Sequence, residues 1–75
     1  MNVIVKFAVY HRKDHPRWQT HYRVVCNTET QKMTYSIQYY NQDDHEWYNN
    51  SKNRYETIDL LYRSKEFQRL FKVYE

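Results

Sequence analysis

Thr20-His21-Tyr22-Arg23-Val24-Val25-Cys26-Asn27-Thr28-Glu29-Thr30-Gln31-Lys32-Met33-Thr34-Tyr35-Ser36-Ile37-Gln38-Tyr39-Tyr40 is the stretch that decides the fold. Read as an extended chain, its first part puts Tyr22, Val24 and Cys26 on one side and His21, Arg23 and Val25 on the other. From Lys32 onward, Met33, Tyr35, Ile37 and Tyr39 share a side, with Thr34, Ser36, Gln38 and Tyr40 opposite. Alternation with period two marks a strand that buries one face. Between the two runs, Asn27-Thr28-Glu29-Thr30 has the small polar residues of a hairpin turn.

Upstream, residues 2–11 alternate in the same way, with Val3, Val5, Phe7 and Val9 on one face and Ile4, Lys6, Ala8 and Tyr10 on the other. Residues 12–18 break the pattern around Pro16, the only proline, and read as a polar loop. Three sequential strands with short connections form an antiparallel meander. Downstream, residues 41–53 are polar, with an acidic knot at Asp43, Asp44 and Glu46 and two aromatics, Trp47 and Tyr48; Glu46–Tyr48 is an optional fourth short strand.

From Thr57 the period changes to that of a helix. Leu60, Ser64, Phe67, Phe71 and Tyr74 share one stripe with Leu70 on its shoulder. Thr57 is a helix cap, Asp59 and Arg63 have the spacing of an intrahelical ion pair, and Lys72 sits in the last turn, where the macrodipole favours a cation. Ile58, Leu61 and Tyr62 lie off that stripe. Either they meet a partner, or the helix breaks near Ser64 and Ser64 caps a second short helix; the break is the preferred reading. The predicted fold is α+β: an antiparallel meander of three strands, or four with Glu46–Tyr48, and a C-terminal helix, broken near Ser64, packed on one face. That helix is expected on the Val3/Val5/Phe7/Val9 face, leaving the other face open.

Seventy-five residues form one domain, residues 1–75, with no room for a second core. A single cysteine, Cys26, excludes an internal disulfide and fits a reducing compartment. The apolar stretch at residues 1–10 contains Lys6 and is too short for a membrane span. It also lacks the basic start and small-residue cleavage site of a signal peptide. The expectation is a cytoplasmic protein with no membrane association. Glycine is absent, so no phosphate-cradling loop, dinucleotide fingerprint or nucleophile elbow can be built. Positive-φ positions must then fall to Asn or Asp, of which Asn27, Asn41, Asp43, Asp44, Asn49 and Asn50 lie between the apolar runs.

Catalytic and metal-binding readings do not survive the spacing. His11 and His15 flank Asp14 beside a proline, and His45 lies among Asp43, Asp44 and Glu46, but no Cys/His pair has structural-zinc spacing. Cys26 sits on the apolar side of its strand, where a thiol is inert. The acidic knot lies in a loop, so paired-carboxylate chemistry has no pocket to act in. No enzyme activity and no cofactor are expected.

Binding is the remaining class. Most of the nine tyrosines serve as half-buried filler in a core poor in Leu and Val, and two to four are expected on an exposed face, where Tyr, Trp and Arg dominate protein interfaces. Charge is also uneven. Residues 1–28 carry Lys6, Arg12, Lys13, Arg17 and Arg23 against Asp14 alone, whereas residues 29–59 carry six acids against Lys32, Lys52 and Arg54. In one reading, Arg12, Lys13, Arg17, Trp18, Arg23, Tyr40, Trp47 and Tyr48 contact a protein, either a host protein or a second copy of the chain, which is then monomeric or homodimeric. In the other, the basic 12–17 loop with Lys6 and Arg23 on the open sheet face grips phosphates, while Tyr10, Tyr40 or Trp18 stacks on bases. A net charge of plus three and the acidic knot favour the first. Short, glycine-free, tyrosine-rich chains without catalytic motifs resemble the small accessory proteins of phages and mobile elements. That resemblance, one of general type, implies a non-enzymatic inhibitor or regulator of a host protein.

Overall fold

Alternation in the backbone produces four strands in chain order. The computed structural model describes residues 2–10, 19–29 and 32–70. Strands β1 (Asn2–Tyr10), β2 (Gln19–Glu29), β3 (Lys32–Asn41) and β4 (Glu46–Asn49) pair antiparallel as neighbours in one open sheet. Helices α1 (Ile58–Arg63) and α2 (Lys65–Leu70) follow. The predicted α+β meander is therefore present, with the fourth strand included and the helix divided at Ser64.

One side of the sheet holds the core. Val9, Tyr22, Val24, Ile37 and Leu61 are buried against one another, with Phe7, Tyr35, Tyr39, Tyr55, Ile58, Phe67 and Leu70 packed around them. The strand contributions come from alternate positions, as a half-buried strand requires. Phe7 stacks on its cross-strand partner Tyr22 at 5.6 Å and meets Phe67 edge-on at 5.8 Å, which ties β1 and β2 to α2. Cys26 is buried as a free thiol.

Ser64 causes the helix break. Its Oγ donates to the Leu61 carbonyl at 2.6 Å and accepts from the Phe67 amide at 3.1 Å, closing α1 and opening α2 with one hydroxyl. Its ψ of 153° takes the chain out of helical geometry. Thr57 caps α1 as predicted, its side chain accepting from the Leu60 amide at 3.1 Å, and Asp59 pairs with Arg63 at 3.2 Å. The break also resets the helical phase. Leu61 is fully buried while Leu60 is 50% exposed, so the predicted Leu60 stripe is corrected: Ile58 and Leu61 face the sheet from α1, and Phe67 and Leu70 from α2. Phe71, Tyr74 and Lys72 lie outside the described residues.

Three other expectations are corrected. A bulge between Val3 and Val5 shifts the β1 register, so Val5 pairs with Val24 but Val3 pairs with Val25 and leaves the Val5/Phe7/Val9 face. Asn27, Thr28 and Glu29 are not a turn but continue β2, pairing with Thr34, Met33 and Lys32. Asn27 tolerates a buried strand position because its Nδ2 donates to Ser36 Oγ at 2.9 Å. Finally, the positive-φ residue among those described is His45, at φ 58°, and neither Asn nor Asp.

Residues 50–55 return along the outer side of β3. The Asn50 amide donates to the Ile37 carbonyl at 2.9 Å, and Tyr35 and Tyr55 exchange backbone bonds of 2.7 and 2.9 Å. Glu66 on α2 fixes this segment from above, accepting from Asn50 Nδ2 (2.8 Å), Ser51 Oγ (2.7 Å), Tyr55 Oη (2.8 Å) and Asn53 Nδ2 (3.4 Å). Burial by itself would raise the Glu66 pKa, but these donors outweigh it and hold the carboxyl below its ordinary value.

Candidate functional site

On the face turned away from the helices, the strands present a different set of side chains. Register places Lys6 opposite Arg23 and Ala8 opposite His21 across β1 and β2. It places Arg23 opposite Gln38 across β2 and β3, and Tyr40 opposite Trp47 across β3 and β4. This face is not bare throughout, as the sequence had suggested. Toward the Asn27 end, Val25 and Ser36 are fully buried, and Asn27 and Gln38 nearly so. Short side chains with a mutually satisfied amide–hydroxyl pair can occupy such a site without an orphaned polar group, and among the described residues no buried side-chain nitrogen or oxygen lacks a partner. The accessible part is the other end, around Lys6, His21, Arg23, Tyr40 and Trp47.

There the side chains form a chain of oriented contacts. The Arg23 guanidinium carbon lies 4.5 Å from the Trp47 ring centroid, within cation–π range. Arg23 Nε donates to Gln38 Oε1 at 2.8 Å, and Gln38 Nε2 donates to Asn49 Oδ1 at 3.2 Å. Gln38 thus fixes the plane of the guanidinium from below. Tyr40 packs on Trp47 with centroids 5.2 Å apart, and its hydroxyl bonds His45 Nδ1 at 3.1 Å. Partial burial lowers the Arg23 pKa from its usual value, the sign of a cation that has lost some of its water.

Beside this array is a concavity of about 400 Å³ lined by Lys6, Ala8, His21, Tyr40 and Trp47 together with Phe7 and Tyr22. Its volume falls in the range of small-ligand clefts, enough for one or two side chains of a partner.

The predicted contact residues separate into three groups. Arg23, Tyr40 and Trp47 come together on this face. Tyr48 does not join them: it follows Trp47 in β4 and so points to the helix side, where it packs on Tyr39 at 5.9 Å and its hydroxyl donates to Asp44. That hydrogen bond pushes the exposed Tyr48 phenol up to about 12. Arg12, Lys13, Arg17 and Trp18 lie outside the described residues, as do His11, Asp14 and His15. Sequence reading missed Gln38 as the group that orients Arg23. Its signal was the β2–β3 register, which the hairpin misplacement obscured. It also left His21 unassigned, although alternation puts His21 on the same side as Arg23.

The acidic knot organises the β3–β4 turn. Asn41 Oδ1 accepts from the Asp43 amide at 2.9 Å, and Asp44 Oδ1 accepts from the Glu46 amide at 3.3 Å. These are side-chain-stabilised turns of the kind Asn and Asp favour. Among the described residues no three His, Cys, Asp or Glu side chains are grouped to hold a metal ion, and no helix is long and apolar enough to cross a membrane. No protein-family model, curated protein or solved structure matches this chain.

Proposed function

We propose that this protein is a small, non-enzymatic inhibitor or regulator that binds another protein, host or self, through the Arg23–Trp47–Tyr40 face. The observation that carries the reading is the preorganised cation–aromatic array, with Arg23 held 4.5 Å over Trp47 by Gln38 and bordered by a concavity. Arg, Trp and Tyr are the side chains from which interface hot spots are built, and prior orientation reduces the ordering cost of association. A buried free cysteine fits action in a reducing compartment such as the cytoplasm.

Nucleic-acid binding is the alternative, and the geometry favours it less. One face of Trp47 is already taken by Arg23, whereas base stacking needs a free ring face. The exposed acids Asp43, Asp44 and Glu46 adjoin Tyr40 and Trp47 in sequence, where a continuous polyphosphate would meet them. The experiment is capture of a partner from nuclease-treated lysate by the wild-type chain and by Trp47→Ala. Capture that survives nuclease and is lost in Trp47→Ala supports the proposal. Capture that disappears with nuclease, or is indifferent to Trp47, rejects it.

A further inference from the structure

Resting on the protein-binding reading, we infer that the face recognises an acidic segment of its partner, with an apolar side chain seated in the concavity and flanking carboxylates on Lys6 and Arg23. Three observations carry this. First, Lys6 and Arg23 are direct cross-strand partners. Two cations carried at neighbouring positions of one face supply a positive site for an anion.

Second, among the described residues the ionisable side chains lining the concavity are basic or neutral, Lys6, His21, Tyr22 and Tyr40, with Arg23 alongside. Two of the three acids of the β3–β4 turn are directed elsewhere, while Asp43 is exposed within it. Asp44 is engaged with the Tyr48 hydroxyl, and Glu46 shares the helix-side parity of Tyr48. Third, the lining apart from the cations is largely apolar and aromatic, with Ala8, Tyr40 and Trp47 among it. Charge complementarity then specifies Asp or Glu, and the walls specify an aliphatic or aromatic neighbour. The acidic turn at one end would fix the direction of such a segment, since its carboxylates are repelled there.

The test is titration of the isotope-labelled full chain, followed by backbone-amide and Trp47 indole shifts. Three probes are used: a short peptide with a central Phe flanked by Asp and Glu, the same peptide with Asn and Gln, and a single-stranded oligonucleotide. The acidic peptide is expected to shift Ala8, His21 and Trp47, to bind roughly tenfold more tightly than its amide counterpart, and to lose roughly that factor in Lys6→Glu. Equal affinity for the amide peptide, no shift at this face, tighter binding of the oligonucleotide, or an unchanged Lys6→Glu would each overturn the inference. Those results are distinct from failure of the protein-binding reading, which shows as partner capture that is indifferent to Trp47→Ala.

Discussion

The two faces of the sheet are built from the same strands but held by different physics. On the helix side, Val24, Ile37 and Leu61 are almost wholly removed from water, and stability comes from apolar burial closed over by Phe7, Phe67 and Leu70. At the accessible end of the other side, Arg23, Gln38, Asn49, Tyr40 and Trp47 are joined by hydrogen bonds and ring contacts that leave several of them half exposed. The first kind of contact is non-directional and large per residue. The second is directional and small per residue, and it fixes where donors and rings point. A chain of 75 residues has a total stability of about 4–11 kcal/mol, to which the helix side contributes most of the apolar burial and the Asn27 end of the other side adds Val25 and the Asn27–Ser36 pair. The end around Lys6, His21, Tyr40 and Trp47 is the part left available for contact.

The edges differ in the same spirit. β4 has four residues, and segment 50–55 continues along β3 beyond it. β1 has nine residues, with Val3, Ile4 and Val5 each exposed by 38–47%. Its bulge and the charge at Lys6 are the features that discourage pairing with another strand.

The largest effect is expected where burial is complete. Leu61→Ala should destabilise the fold by about 2–5 kcal/mol, measured by urea unfolding, because a cavity opens under α1 where nothing can collapse into it. A loss below 1 kcal/mol would mean that the helices are not fastened to the sheet at this point.

Next comes the buried polar pair. Asn27→Ala should cost about 1–3 kcal/mol by leaving the Ser36 hydroxyl without its donor. Adding Ser36→Ala should recover part of that loss, and a double variant worse than the sum of the singles would refute the pairing.

Glu66 gives a smaller effect with a sign that can be checked. Its pKa is depressed in the folded chain, so its contribution is complete above its unfolded value near 4.5 and fades as pH falls through the lower folded value. Glu66→Gln should cost about 1 kcal/mol at neutral pH, discounted for the exposure of the carboxylate, and should flatten the loss of stability on acidification. An acid limb as steep as the wild type's would assign that limb to other groups. The smallest effect leaves stability aside: absorbance titration should find one phenol ionising near 12 that moves toward its ordinary value of 10.0 in Asp44→Asn.

Much of this arrangement could be read from the residues. Alternation located three strands, Glu46–Tyr48 stood as an optional fourth, and the misfit of Ile58, Leu61 and Tyr62 with a single stripe located the break at Ser64. What escaped was phase. A one-residue bulge at Val3–Val5 moved Val3 across the sheet, and a turn placed two or three residues early hid the Asn27–Ser36 and Arg23–Gln38 pairings. The Leu60 stripe followed from extending one helical phase through a residue that resets it. Period-two patterns identify strands reliably but fix faces only once register is known. Tyr48 illustrates this: as an aromatic next to Trp47 it looked equally suited to contact, yet adjacency in a strand sends the two to opposite faces. The Glu66 cluster had a visible signal, the donor-rich run Asn49-Asn50-Ser51-Lys52-Asn53, but its acceptor lay thirteen or more residues away on a helix whose placement came only with the fold.

Thermal melting of Leu61→Ala and Trp47→Ala, side by side with the wild type, tests the division between faces most directly. Leu61→Ala should melt at least about 10 °C lower, or not fold at all, while Trp47→Ala should lose only about 4–8 °C, the equivalent of about 1 kcal/mol in a domain of this size. If Trp47→Ala falls as far as Leu61→Ala, the Arg23–Trp47–Tyr40 array is part of what holds the fold together, and the separation of a stabilising face from a contacting one is wrong.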